Sequence, residues 1–256
     1  MNDLYVALVA GVIAVFSTVV GSFAGGATSL IMFPLILMFA VGNYMDAFTA
    51  NKIGTLFMTI AASQIHSQKN KVNLKLFVTL LIFGLIGTAI GTYIIQYQLD
   101  ENLFKQILSA CLIGMGVYLF FAKNKGVHAR KHREIGVLVL IIAALFSTFI
   151  NILNGIFGGT GMFLTLFFVL FLKTTFIESM IYTMPVYAII NVFQTSYLAY
   201  TTDIFGRYPL LALTMACCGL LGGMIGTNLQ YLKGNVWVKR VAVLVMIVIG
   251  VKTFIG

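Results

Sequence analysis

The sequence predicts an all-α integral membrane protein made of two related halves, each about five helical segments long. Three observations predict it. The chain is 60% hydrophobic and only 9% charged, with a mean hydropathy of +1.02, whereas a soluble domain carries about 25% charged residues. Its apolar runs recur near the length of about 20 residues that a spanning helix needs. A short glycine-rich stretch also occurs twice. It reads Phe23-Ala24-Gly25-Gly26-Ala27-Thr28-Ser29 in one apolar run and Ile156-Phe157-Gly158-Gly159-Thr160-Gly161-Met162 in another.

The first spanning segment is 4–23. The leading Met1-Asn2-Asp3 has no positive charge and the apolar run continues past any cleavage point, so this is a span and not a signal peptide. Segment 29–41 is about 20 Å long at 1.5 Å per residue, short of the roughly 30 Å hydrocarbon core. Gly42-Asn43-Tyr44-Met45-Asp46 is expected to turn, and 47–65 to form the next helix. Segments 74–95 and 103–122 complete a first repeat over 1–122. The most basic stretch, 123–134, connects it to a second repeat over 135–256. There 135–157 and 162–172 flank the second glycine break, and 179–200, 208–229 and 236–254 follow. The two glycine pairs differ by 133 positions, while Gly84, Gly87 and Gly91 match Gly219, Gly222 and Gly226 at a shift of 135. An internal repeat of this kind sets the whole architecture.

Lys and Arg decide whether each break is a hairpin or part of one crossing. Lys52 lies inside a segment and is set aside. A single crossing then splits the other basic residues 10 to 5, and a hairpin splits them 12 to 3. Basic residues gather on the cytoplasmic side, so hairpins are preferred. Each half is then odd, the second is an inverted repeat of the first, and both termini lie outside.

All seven acidic residues sit at or near segment ends, and the net charge of +9 belongs to loops facing anionic lipid. No aromatic-basic RNA motif or helix-turn-helix pattern accompanies it, which argues against a nucleic-acid partner. Cys111, Cys217 and Cys218 lie in apolar segments and read as small buried hydrophobes, not as a disulfide or metal set. His66, His128 and His132 are expected in loops. With no HExxH, Ser-His-Asp set or P-loop, neither an enzyme nor a cofactor is expected. No ATPase module is visible either, so transport would be secondary or would need a partner subunit.

Glycine costs about 1 kcal/mol in a helix interior relative to alanine. A glycine pair at membrane depth exposes backbone N–H and C=O groups, which is tolerated only where they are buried in protein or line a wet cavity. Paired interruptions at corresponding places in two halves point to a transporter site. Half-helix N-termini at Gly25, Gly26, Thr28 and Ser29, and at Gly158, Gly159, Thr160 and Gly161, would present N–H groups and positive dipole ends to an anion. The alternative is close helix packing through small residues, as in a non-transporting membrane assembly protein. Ala47-Phe48-Thr49-Ala50-Asn51-Lys52 places a Lys about a turn inside a membrane helix. Such a Lys faces a cavity or a partner, or snorkels to the interface. The equivalent stretch is Ile181-Tyr182-Thr183-Met184-Pro185. Asn191 with Gln194, and Asn151 with Asn154, are i, i+3 pairs that share a face. They serve as ligand contacts or as interhelical glue.

At these residues the chain resembles the TauE/SafE family of sulfite and organosulfonate exporters. The matching pieces are Gly25-Gly26 followed by Pro34, then Ala47-x-x-x-Asn51-Lys52. In the second half they are Gly155-x-Phe157-Gly158-Gly159-Thr160-Gly161-x-Phe163, then Thr183 and Asn191. The ordered combination covers nearly the whole chain. Two positions depart from the family's habit. Ala50 stands where Thr is common, and Met184 where Lys is common, so one of two basic positions is kept. The resemblance implies a transporter in a bacterial or archaeal plasma membrane that works by alternating access. Its partners would be the lipid bilayer, a small anionic substrate (sulfite, a sulfonate or a related organic acid) and a coupling proton or sodium ion. The anion would be held at the glycine breaks and Lys52, with Asn51, Thr183, Asn191 and Gln194 alongside.

Overall fold

The computed structural model describes residues 3–68, 72–95, 101–122, 125–128 and 135–255. Of the basic connector 123–134, only 125–128 fall among them. The described residues are helices and short connections, with no strand. The first half contains α1 (Asp3–Phe23), α2 (Thr28–Phe39), α3 (Tyr44–Ser67), α4 (Leu74–Ile95) and α5 (Glu101–Phe121). The second contains α6 (Val137–Phe157), α7 (Gly161–Phe167) continued by a π-helical turn (Phe168–Leu172), α8 (Phe176–Thr202), the short α9 (Ile204–Arg207) and α10 (Pro209–Ile255). Gly234, at φ 75° and ψ 174°, divides α10 into two arms, 209–233 and 235–255. Each arm, at about 31–37 Å, matches a bilayer crossing.

Five described helices are long and apolar enough to cross a membrane: Asp3–Phe23, Leu74–Ile94, Val137–Ile156, Phe176–Thr202 and Pro209–Lys252. Their outer faces leave Val12, Leu145, Leu213 and Leu244 exposed, as a lipid-facing surface requires. Inside, buried apolar residues of α1, α2, α3 and α10 form one cluster. Those of α4, α6, α7 and α8 form its counterpart.

Both breaks reverse the chain. Thr28 lies against Gly21, and Ile36 and Ala40 pack in the cluster that holds Val6, Ala10 and Ala14, so α2 runs back along α1. Likewise, Phe167 stacks on Phe146 at 4.7 Å, and Leu172 shares a cluster with Val139 and Ala143. With 12 residues, α2 is about 18 Å long and stops short of a full crossing.

Contacts between helices give their relative directions. Along α1, Gly11 meets Thr214, the Ser22 hydroxyl meets that of Thr227 at 2.8 Å, and the Phe23 carbonyl accepts from Gln230. Thus α1 runs parallel to the first arm of α10. So does α3, with Gly54 on Gly219 and Met58 on Gly223. In the other half, Ser147 donates to the Leu80 carbonyl at 2.8 Å and Gly91 lies against Ile152 and Gly155, which makes α4 and α6 parallel. Ile190 on Gly84 and Gln194 on Thr92 align α8 with them. The two sets oppose each other, because Thr49 pairs with Thr202 and Thr59 with Asn191 across α3 and α8.

Three sequence expectations are corrected. Cys217 is exposed on α10 and Cys218 only partly buried, so neither is the buried hydrophobe expected. Tyr44-Met45-Asp46 is the first turn of α3 and not a loop, because the Asn43 side chain accepts from the Met45 and Asp46 N–H groups. Lys52 therefore sits about 12 Å past the first helical residue, deeper than one turn. His66 is not in a loop. It lies buried in the last turn of α3, and its Nδ1 meets the Tyr231 hydroxyl at 2.8 Å.

Candidate functional site

The local chemistry of each break is set by glycine. Gly25 (φ 90°) and Gly26 (φ 102°) turn the chain after α1, and Gly158 (φ 76°) turns it after α6. Side chains rarely adopt such φ values, and glycine does so freely. The Gly26 N–H returns to the Gly21 carbonyl, and the Gly158 N–H to the Asn154 carbonyl, both at 2.8 Å. The following helices start at Ala27 and Thr160 without a side-chain cap, and in the second the Phe163 N–H bonds back to the Thr160 carbonyl at 2.9 Å.

The two breaks meet. Gly26 lies against Gly161, and Gly159 against Leu30, while the Thr165 hydroxyl donates to the Gly25 carbonyl at 3.0 Å. Beside this junction is a cavity of about 30 Å³. Gly26, Thr28 and Ser29 line it from the first break, and Asn154, Gly158, Gly159 and Gly161 from the second. Thr55, Met58 and Thr59 of α3, and Thr183, Met184, Tyr187 and Asn191 of α8, close its sides. The four-residue spacing of Thr55 and Thr59, and of Thr183, Tyr187 and Asn191, puts each set on one helix face.

Lys52 stands next to this cavity. It is 1% exposed. Its Nζ donates to Asn154 Oδ1 at 3.4 Å and lies 5.6 Å from the centroid of the Phe48 ring. Gly158 packs between Lys52 Cε and Asn51 Nδ2, and a Cβ there would stand 3.3 Å from each. Asp46 is not its partner. Arg207 Nη1 donates to Asp46 Oδ2 at 3.0 Å and so ties α9 to the start of α3. Several buried polar atoms on or beside the cavity have no hydrogen-bond partner among the described residues: both Asn51 side-chain atoms, Asn154 Nδ2 and Thr28 Oγ1. Buried polar groups are normally satisfied, and an orphaned one costs about 1–3 kcal/mol. Four such atoms lie on or beside the cavity.

Most residues expected at the site are thus gathered there: Gly26, Thr28, Ser29, Gly158, Gly159, Gly161, Thr183 and Asn191 on the cavity, with Asn51 and Lys52 beside it. Three stand apart. Gln194 Nε2 donates to Thr92 at 3.1 Å and holds α8 to α4. The Thr160 hydroxyl donates to the Ile150 carbonyl at 2.9 Å, within its own break. Gly25 packs behind the junction against Met180 and Thr165. Asn154 reaches the cavity, whereas Asn151 bonds back to the Ser147 carbonyl at 2.8 Å between α6 and α4. Sequence reasoning does not single out Thr55, Met58, Thr59 or Tyr187. Their signal is helical spacing onward from Asn51 and Thr183, with Thr55, Thr59 and Tyr187 at four-residue steps and Met58 at i+7.

Known proteins are similar to the chain along most of its length. The family profile described as "Sulfite exporter TauE/SafE" matches residues 9–253, across both breaks. A Haemophilus influenzae protein called "Probable membrane transporter protein" is 27% identical over 228 residues, which are 88% of this chain and 85% of that protein. No solved structure matches the chain.

Proposed function

The chain belongs to the sulfite exporter TauE/SafE family, and from that premise we propose that this membrane transporter carries a small anion by alternating access. The substrate class is sulfite, a sulfonate or a related organic acid. The observation that carries the reading is Lys52, a buried amine next to a cavity where two glycine-broken helices meet. Among the described residues this amine has no counter-charge, and once protonated in a low-dielectric region such a group attracts an anion strongly. Around it, Asn51, Asn154 and Thr28 offer unspent polar atoms.

The cavity of about 30 Å³ holds about one water. A sulfonate does not fit until the hairpins part, so the hairpins α1–α2 and α6–α7 move against the remaining helices in this reading. The halves work as an inverted repeat. Its support is the opposed directions of α1 and α6, which follow from α1 and α3 running with α10, and α4 and α6 with α8. Both termini face outward across a bacterial or archaeal plasma membrane, on the 12 to 3 distribution of Lys and Arg.

A thermal-shift screen of the purified chain against small anions tests the reading. A ligand bound to the folded state raises apparent stability by RT ln(1 + [L]/Kd). Sulfite or a sulfonate is expected to raise the midpoint, and labelled anion to enter proteoliposomes. No stabilisation and no uptake would leave the assembly-protein alternative standing.

A further inference from the structure

The charge balance around Lys52 bears on the coupling ion. Among the described residues the ammonium position has no ion-pair partner, and its hydrogen bond goes to the neutral Asn154. On its own helix, Asp46 lies six positions earlier, about 9 Å along the axis, and is held by Arg207. His66 lies about 21 Å further on and bonds to Tyr231 of α10. From α8, the Tyr187 phenol lines the cavity, while Glu178 stays in the capping box at the helix start. From α10, Cys217 is exposed and Cys218 faces Gly11 of α1. The segments α2, α6 and α7 contain no titratable side chain.

A lone ammonium closed off in such surroundings is strongly unfavourable, and a group so placed sheds its charge unless a counter-ion arrives. The anion is that counter-ion. We propose that Lys52 takes up its proton together with the anion, so that each monoanion crosses with about one proton and no net charge. This rests on the anion-transport reading. On the loading side, a proton from water joins the Nζ lone pair as the anion enters. On the other side, proton and anion leave together, and the neutral amine returns with the empty carrier. Met184 occupies the position that would hold a second cation, so the pairing is one proton to one negative charge. A dianion would leave a charge unbalanced.

Methanesulfonate is the probe, because it stays ionised and cannot itself carry the proton. The wild-type chain is titrated calorimetrically with it at one pH in two buffers of different protonation enthalpy. The expected result is a buffer-dependent heat equal to about one proton taken up per anion bound. In proteoliposomes, methanesulfonate entry should acidify the lumen, at a rate unchanged by an imposed membrane potential. Binding with buffer-independent heat, and flux that follows the potential, would overturn proton coupling and leave anion transport intact. No binding or flux of methanesulfonate or any screened anion would remove both readings. Lys52→Arg is charged at every accessible pH, so it should bind without proton uptake and carry current. Proton uptake equal to wild type in Lys52→Arg would place the proton elsewhere and sink the proposal. Should that variant not fold, the two-buffer titration of the wild type decides alone.

Discussion

The first and second breaks share one plan and differ in charge. Each ends a long helix in a left-handed glycine turn and starts a short helix without a side-chain cap. Each lies beside a helix that turns a polar face inward at four-residue steps: Asn51, Thr55 and Thr59 on α3, and Thr183, Tyr187 and Asn191 on α8. On α3 the next residue after the first of these is Lys52, and on α8 it is Met184. The shared parts make an opening between two broken helices, which an anion carrier of the proposed kind would need. Under the proposed function, the parts that have diverged would decide what enters. Small hydroxyls on one side face a phenol and an amide on the other, and a single cation breaks the balance of charge.

Removing that cation is the largest way to break the comparison. Lys52→Met makes the first break resemble the second. Anion affinity measured by calorimetry should fall at least 100-fold, about 3 kcal/mol, while the protein stays monodisperse. Snorkelling predicts unchanged affinity, and that result would remove Lys52 from the site. The exchange Lys52→Met with Met184→Lys moves the charge to the other half. Because Met184 lines the same cavity, about tenfold of the lost affinity, or 1.4 kcal/mol, should return. No recovery would mean that the two breaks are not equivalent in binding.

Much of this comparison is legible in the sequence. Hydropathy and glycine placement act locally, so the breaks, the segments and the divergence of Lys52 from Met184 can be read residue by residue. The depth of Lys52 cannot. It depends on the Asn43 side chain capturing two N–H groups, which turns an apparent loop into the first helical turn. Burial of His66 depends on Tyr231, which lies 165 positions away. The junction of the breaks is equally nonlocal, since no periodicity predicts Gly26 on Gly161 or Gly159 on Leu30. Gln194 shows a different limit. An amide inside a membrane helix binds ligand or neighbour equally well, and here Thr92 and the Gly155 carbonyl occupy its Nε2.

Alanine at the junction sharpens the comparison at intermediate size. Gly26 has φ 102° and faces the Gly161 backbone, where an added Cβ would lie 3.0 Å from the carbonyl carbon. Gly26→Ala should destabilise the protein by about 2 kcal/mol and reduce uptake further than expression. Gly159 has no positive φ, and its added Cβ would lie 2.6 Å from Leu30 Cγ and Cδ2 and 3.1 Å from the Leu30 backbone nitrogen, so most of the crowding is with the Leu30 side chain. Gly159→Ala should therefore destabilise by only about 1 kcal/mol, and Leu30→Ala in the same chain, which removes Cγ and both Cδ carbons, should relieve most of the crowding. Equal losses at the two glycines, with no relief, would contradict this assignment of backbone strain to one break and side-chain crowding to the other.

The smallest effect belongs to the helix starts. Asn43 caps α3 by accepting from the N–H groups of Met45 and Asp46. Thr175 caps α8 through a capping box with Glu178, whose carboxylate accepts from the Thr175 N–H at 2.8 Å. The caps hold equivalent register: Asn43 precedes Lys52, and Thr175 precedes Met184, by the same nine positions, about 13 Å along each helix. Replacing either cap by alanine should lower stability by about 1 kcal/mol. Thr175→Ala should lose slightly less, because the Glu178 side chain can still accept from the backbone N–H of residue 175. Neither change removes a group near the cavity, and both helices remain held along their length by α10 and by each other. Thermal unfolding of the two variants should therefore shift by a few degrees while anion affinity stays within twofold of wild type. A large loss of affinity in Asn43→Ala alone would mean that this cap sets the position of Lys52, and that the two starts differ in function as well as in design.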